Sequence, residues 1–433
     1  FVSSIEWEDI KYFPNAIEKV TAFGSKVKLL NSEKISSETI DTLRTYKPVN
    51  SLDGFMLVSK PFYFQKALAS RPFLIGIKYD TLPLNVKASD LRIYREKKGK
   101  IYVEKDSYVE NGYVWIKTNS LEAPFLVLYD NISPKIILNT NDTSSYVKPN
   151  VSIPIEFTVE DNVDQLFVSL KMGKGNEGFE KDSSYSILIG AKNTLSISAK
   201  YVSSFYGFRA ELVISDGSFE RVIDLSRQVV REEGEELTVE PGKWIPIRAS
   251  AEIQNNAPSQ VLKGLGKIDQ TKWRLFRWVN EQNSSGKWSE YTQPADSSSF
   301  RFELGKVMWL KSSEYKSINL GKSITTSLKK TQGITLSPKT WVDFGSPFKF
   351  EVVLGDILDL TGTSGDSLRI GVWKKDSKSN IYVYQDLYNP ILKESIEEMK
   401  STILSWNPTS AFSVYNPFDN PVTLRIPPIP VSM

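Results

Sequence analysis

The chain of 433 residues contains no histidine and no cysteine. Hydrolases that depend on an imidazole base, a thiolate nucleophile or a nitrogen and sulfur metal cage therefore cannot be assembled from it. What remains for an enzyme is carboxylate-pair, lysine, tyrosine or cofactor chemistry. Disulfides and thiol regulation are also excluded, although large bacterial exoproteins do without both, so this absence is neutral about compartment. Charge of one sign is missing too. The 54 basic and 51 acidic residues leave a formal net charge of +3, which gives no field that would draw nucleic acid or an anionic surface. Long apolar runs are absent: stretches such as 73–77 and 124–129 are strand-sized, far short of the ~18 residues that span a bilayer. The chain begins at Phe1 without a methionine, a basic stretch or an apolar leader, and is expected to be a mature or excised segment whose targeting signal lies elsewhere.

Aromatic residues are plentiful, at 12%, and the length suits roughly two to four domains. Segments such as Leu91-Arg-Ile-Tyr94, Tyr113-Val-Trp-Ile116, Phe167-Val-Ser-Leu170 and Phe412-Ser-Val-Tyr415 alternate apolar and polar positions with β-branched and aromatic residues, the pattern of half-buried strands. Asn111-Gly112, Asp216-Gly217 and Ser285-Gly286 punctuate them as tight turns. Helical patterning is confined to 36–46 and 390–402, the second opening near Pro390 with an imperfect stripe of Ile391, Ile396, Met399 and Ile403. The fold class expected is all-β, with tandem β-sandwich domains and minor helix.

Boundaries are placed at 130–134, where a strand-like run ends in a proline-containing step, and at the charge cluster Arg231-Glu-Glu-Gly-Glu-Glu236, which reads as an unpacked linker. This divides the chain into an N-terminal linker or strand at 1–19, a sandwich at 20–132, a second at 133–230 and a C-terminal segment at 237–433. That segment repeats itself, at about 237–330 and 331–433. Pro241-Gly-Lys-Trp244 returns as Pro338-Lys-Thr-Trp341, Ser250-Ala251 as Ser346-Pro347, Leu265-Gly-Lys-Ile268 as Leu354-Gly-Asp-Ile357, Leu275-Phe-Arg-Trp278 as Ile370-Gly-Val-Trp373, and 287–291 as 380–384. A tryptophan strand then closes each copy, at Met308-Trp309 and at Trp406.

Through Gly24-Ser-Lys-Val27, 35–40, 55–62, Ile75-Gly-Ile-Lys-Tyr79, Leu91-Arg-Ile-Tyr94 and the closing run 124–130, residues 20 to 130 resemble a ZU5-like β-sandwich. Some members of that family cut themselves at a His-Phe-Ser step. Ala123-Pro-Phe-Leu126 has neither histidine nor serine, so the resemblance does not carry self-cleavage. Residues 134 to 230 resemble a bacterial Ig-like domain, through Pro134-Lys-Ile136, 157–162 and Gly207-Phe-Arg-Ala210 to Ser215-Asp-Gly217. The duplicated segment is similar to tryptophan-rich repeats near the C-termini of large secreted bacterial surface proteins, at Gly345-Ser-Pro-Phe348 and from Tyr415-Asn416 to Thr423-Leu-Arg-Ile-Pro427. These resemblances imply tandem exported modules at the bacterial cell surface or outside the cell.

Three patterns suggest chemistry and are weighed against plainer readings. Gly365-Asp-Ser-Leu368 spells a lipase and esterase motif whose serine needs a histidine base, so it is read as a loop-to-strand turn. Glu160-Asp-Asn-Val-Asp164, Asn139-Thr-Asn-Asp142 and Asp130 could offer calcium its six to eight oxygens at a domain junction, yet turn-forming Asp and Asn explain such runs as well. Eight of the ten tryptophans lie between Trp244 and Trp406, with Tyr291, Tyr382, Tyr384 and Tyr415 near them. Recurrence at matched positions favours two copies of one core, against a flat sugar-stacking surface. A glycosidase pair of carboxylates cannot be chosen among 51 acidic residues, and a βα alternation is missing. The sequons Asn131-Ile-Ser133, Asn150-Val-Ser152 and Asn283-Ser-Ser285 are expected unmodified in a bacterial protein.

No catalytic residue, cofactor site or metal ligand is therefore assigned, and no cofactor is expected, with calcium as the alternative at the junctions. The function expected is that of a non-catalytic spacer and adhesion or interaction region. Its partners would be other domains of the same large protein or cell-surface proteins, with polysaccharide as a second class, and neither nucleic acid nor membrane insertion. The alternatives are a carbohydrate-binding accessory region of an extracellular polysaccharide-degrading enzyme and a subunit of a surface filament or secretion assembly joined through edge strands.

Overall fold

The computed structural model describes residues 52, 54–64, 73–118, 120, 123–139, 146–180, 185–279, 287–292, 299–362, 367–376, 378–379, 381–388, 400–405, 407 and 409–431, with the strand backbones at 12–13, 16–20, 26–30 and 43–45 before them. The chain is all-β with minor helix, built from many small sheets.

Strand alternation builds the first module. One sheet runs in the order Tyr12–Phe13, Ala16–Val20, Lys26–Leu30, Phe73–Lys78, Tyr113–Thr118, Tyr108–Glu110. The facing sheet runs Leu43–Thr45, Phe62–Phe64, Phe125–Asp130, Leu91–Lys97, Lys100–Val103, with Phe55–Leu57 also paired to Phe125–Asp130. Ile75, Ile77, Val114 and Ile116 meet Phe62, Leu91, Ile93, Phe125 and Val127 between the sheets. At the first predicted turn Asn111 has φ +50° and Gly112 φ +80°, so the Tyr108–Glu110 and Tyr113–Thr118 strands join through a left-handed pair that suits their twist. A Cβ at Gly112 would meet nothing, so Gly112→Val should cost about 1–2 kcal/mol through backbone strain alone. Urea denaturation measures it, and an unchanged midpoint would show that the turn relaxes.

The second module packs Lys135–Leu138, Ile153–Glu160 and Asn193–Ile197 against the sheet Tyr185–Leu188, Gln165–Lys174, Phe208–Ser215, Glu220–Asp224. Its core takes in Tyr94, Ile101, Val103, Leu126 and Leu128 of the first module, so a single apolar cluster runs through that junction. At the next junction Tyr146–Val147 lies parallel to Gln228–Arg231, which continues into Ser323–Thr325 and Ala251–Ile253.

The C-terminal segment contains two sets of elements in the same order. Glu236–Val239 pairs with Lys316–Asn319, and Gln332–Leu336 with Val422–Ile426. The sheet Trp244–Arg248, Val307–Ser312, Trp273–Val279, Lys287–Glu290 has the strand order of Thr340–Phe344, Ala411–Asn416, Arg369–Lys375, Tyr382–Tyr388. Trp244 and Trp341 stand on the first strands, Trp278 and Trp373 on the third. Other sequence matches shift. Leu265 and Gly266 end a short helical pair, whereas Leu354 and Gly355 begin the helix Leu354–Thr361. Gly362 (φ +82°) thus stands where Gly266 (φ +83°) does, each ending a helical turn in a conformation that costs glycine little. Trp288 faces Trp278 and Tyr384 faces Trp373, so Trp288 rather than Tyr291 corresponds to Tyr384. Ser413 holds the place of Trp309, and Trp406 lies outside the described residues.

Two local expectations change. Residues 43–45, inside the helical pattern at 36–46, form a strand; the rest of that pattern, and 390–399 of the other, lie outside the described residues. The glutamates after Arg231 are not an unpacked linker. Glu235 is paired with buried Lys349 and Glu232 with Lys322 at 2.7 Å, because cations from distant parts of the chain neutralise charges that look unmatched along it.

Candidate functional site

Apart from Trp273, which packs in the core of the first half, the described tryptophans of the C-terminal segment do not form two copies of one core. Along each strand Ile245, Ile247, Leu275 and Leu310, or Phe344, Ile370, Phe412 and Val414, face the apolar interior. Their neighbours Trp244, Phe276, Trp278 and Trp309, or Trp341, Trp373 and Tyr415, therefore face the opposite side. Those opposite sides meet along a seam. Trp309 lies 5.0 Å from Trp373 and 5.7 Å from Tyr382, and Trp288 lies 5.2 Å from Trp278 and 6.3 Å from Trp309. Trp373 continues to Tyr384 at 5.5 Å, then to Trp341 at 5.7 Å. Gly371 permits this: a Cβ there would stand 2.3 Å from the Tyr384 ring. Most contacts are edge-to-face, so the aromatics line a slot and not a flat surface. Trp273 and Trp309 are buried, Trp244, Trp278, Trp341 and Trp373 half-buried, and Trp288 is 43% exposed.

A cavity of about 710 Å³ opens on this slot between Trp244, Phe276, Trp288, Trp309, Trp373 and Tyr382. A smaller one of about 330 Å³ is lined by Trp278, Trp341, Tyr384 and Asp343. Asp343 is the polar centre. Its Oδ2 accepts from Trp309 Nε1 at 3.0 Å, and its Oδ1 from Trp373 Nε1 at 3.1 Å and from Ser413 Oγ. Burial raises its pKa despite those three donors. These contacts are structural, and the carboxylate joins an indole of one half to an indole of the other. At the rim, Arg274 makes a bidentate pair with Glu290 and Arg369 one with Asp386, at equivalent positions of the two sheets.

Beside the seam, Arg248 is 1% exposed. It donates to the carbonyls of Ser346 (2.6 Å), Asn407 (2.9 Å) and Ser405 (3.2 Å) in the other half. Burial lowers its pKa to about 10 and that of Lys349 to about 8, and Glu235 opposes both shifts. Arg248 and Lys349 were not singled out by sequence reasoning, and Glu235 only as part of a linker. The available signal was Arg248 in the apolar run Ile245-Pro-Ile-Arg-Ala249, where a charge must find partners.

Ser367 stands just before the strand Arg369–Lys375 and Leu368 is fully buried, while Gly365 and Asp366 lie outside the described residues. Asp130, Asp161 and Asn162 come together, and Asp216, from another turn, joins them. Asp164 instead accepts from Ile101 N and pairs with Lys100. Glu160 pairs with Lys135, Asn139 bonds Glu156 through its backbone, and 140–142 lie outside the described residues. Among the described residues no helix is long and apolar enough to cross a membrane.

No family model and no curated protein matches the chain. Among solved structures it is similar to the native conformation of E. coli alpha-2-macroglobulin, at 8% identity and a TM-score of 0.19, over 98% of this chain and 31% of that one. Salmonella alpha-2-macroglobulin reacted with methylamine gives 9% and 0.18, over 96% and 32%. The FN1-FN3 domains of chicken CNTN1 give 9% and 0.14, over 63% and 98%. The chain thus spans about a third of either macroglobulin, and at these TM-scores the similarity names no family.

Proposed function

We propose that the chain is a non-catalytic structural and binding region of a large exported bacterial surface protein, in which ZU5-like, Ig-like and duplicated tryptophan-rich modules act as spacers and interaction surfaces. One observation carries this reading: the buried charges of the C-terminal segment are committed to holding its two halves together. Arg248 is bound to three carbonyls, Lys349 to Glu235, and Asp343 to two indoles and a serine. An acid, base or nucleophile for turnover needs reach toward a substrate, and these groups are turned into the seam. The matched strand order of the two halves supports duplication. The purified chain should turn over nothing in a broad panel of ester, peptide and glycoside substrates; activity abolished by one point substitution would overturn the reading.

A second reading rests on the aromatic slot. Its cavity of about 710 Å³ and the exposed face of Trp288 suit a sugar ring presenting its apolar face. If the region is a carbohydrate-binding accessory, the chain should sediment with an insoluble polysaccharide, and Trp288→Ala should weaken binding about tenfold, the worth of one good aromatic contact. Retention equal to that of the parent would remove the slot from consideration.

A further inference from the structure

We infer that Asp130, Asp161, Asn162 and Asp216 form a calcium site at the junction of the first two modules, a role independent of the seam and of the spacer reading. Asp130 ends the last strand of the first module. Asp161 and Asn162 occupy the turn after Ile153–Glu160, and Asp216 the turn after Phe208–Ser215.

Each side chain uses one polar atom locally and leaves an oxygen over. Asp130 Oδ1 accepts from Ile132 N at 2.9 Å and from Asn162 Nδ2 at 3.0 Å. Asp161 Oδ1 takes Asn162 N at 2.8 Å, and Asp216 Oδ1 takes Ser218 N and Phe219 N, both at 2.6 Å. Asp130 Oδ2, Asp161 Oδ2, Asn162 Oδ1 and Asp216 Oδ2 are buried without a hydrogen-bond partner. Asp130 and Asp216 are wholly buried at 0% exposure. Four orphan oxygens in one cluster call for an explanation, because an unpaired buried oxygen normally costs a folded chain stability.

The charges point the same way. None of the three carboxylates forms an ion pair among the described residues. The nearby Arg92 gives its Nε to the Gly217 carbonyl at 2.7 Å. Tyr94 favours the ionised form of Asp130, but its hydroxyl is hydrogen-bonded to Ser218 Oγ. Burial pushes Asp161 up to about 7 and Asp216 up to about 6, and raises Asp130; each of the first two also feels the charge of other carboxylates in the cluster. Three coupled carboxylates without a cation are what a hard dication would relieve. All the free donors are oxygens on turns or at a strand end, which suits calcium with its six to eight ligands in flexible geometry better than magnesium with its rigid octahedron. Among the described residues no three histidine, cysteine, aspartate or glutamate side chains stand in the arrangement of a finished centre, so the ion must draw the turns inward and complete its shell with water.

The test uses the full chain. Terbium should bind with emission sensitised by Tyr94, and calcium should displace it with a dissociation constant on the order of 10⁻⁴–10⁻³ M, the range of extracellular modules. Calcium should raise the melting temperature by several degrees at pH 8. Asp161→Asn with Asp216→Asn preserves shape and removes charge. The double variant should lose the calcium response and, in chelator at pH 8, melt above the parent. Absence of any calcium effect on the folded parent, an equal response to magnesium, or an unaltered response in the double variant would each overturn the site.

Discussion

Arg248→Met is expected to destabilise the C-terminal segment by about 3–5 kcal/mol. Methionine fills much of the same volume but donates nothing, so the carbonyls of Ser346, Ser405 and Asn407 lose the guanidinium that satisfies them. Each buried acceptor left without a donor costs about 1–3 kcal/mol. Relief of burying a charge, which already lowers the arginine to about 10, offsets part of the loss. A neighbouring substitution tests the same contact from the other side. A Cβ on Gly345 would stand 2.3 Å from Arg248 Nε, so Gly345→Ala should displace the guanidinium and lose about 1–3 kcal/mol. Guanidinium denaturation followed by circular dichroism measures both. A loss below about 1 kcal/mol for Arg248→Met would mean that water or a rearranged loop satisfies the three carbonyls.

The outcome at Arg248 bears on what could be read from sequence. Strand identity was legible because alternation is local: the runs at 91–94, 113–116, 167–170 and 412–415 all lie in strands, and Asn111-Gly112 turns where its chemistry requires. The placement of tryptophans on equivalent strands was legible for the same reason. Alternation says which residues share a face but not what covers that face. Trp244, Trp278, Trp341 and Trp373 were read as core, yet they lie on the opposite face, where Trp373 meets Trp309 of the other half and the others line the cavities of the slot. The partners of Arg248 and Lys349 lie about 100 or more residues away along the chain, beyond any pattern window. Helix Leu354–Thr361 was missed because Val352 and Val353 continue into it as a strand would, although Leu354, Ile357 and Leu358 show the three-and-four spacing of a buried helical face. At the junction, the Asp and Asn run at 160–164 suggested oxygen donors, but Asp216 enters from a distant turn and the pattern alone could not place it.

Asp343→Ala is expected to loosen the seam itself, with a loss of about 2–4 kcal/mol and a red shift in tryptophan emission. The carboxylate holds Trp309 from one half and Trp373 from the other on its two oxygens, with Ser413 Oγ as a third donor. Alanine leaves the Trp309 N–H without its acceptor and the Trp373 N–H with Ser413 Oγ alone, in a slot lined by rings, and a buried unsatisfied donor is among the costlier consequences of one substitution. Asp343→Asn should be nearly as damaging, because its amide nitrogen would face one of the indole donors. A pH profile separates this from simple loss of packing. Burial raises the Asp343 pKa, so the folded chain holds a proton there to higher pH than the unfolded chain. Its contribution is full below the ordinary carboxylate range and is lost as pH rises through the raised value. Both variants should lack that part of the stability profile. Parent-like emission and an unchanged profile would mean that ring contacts alone join the halves.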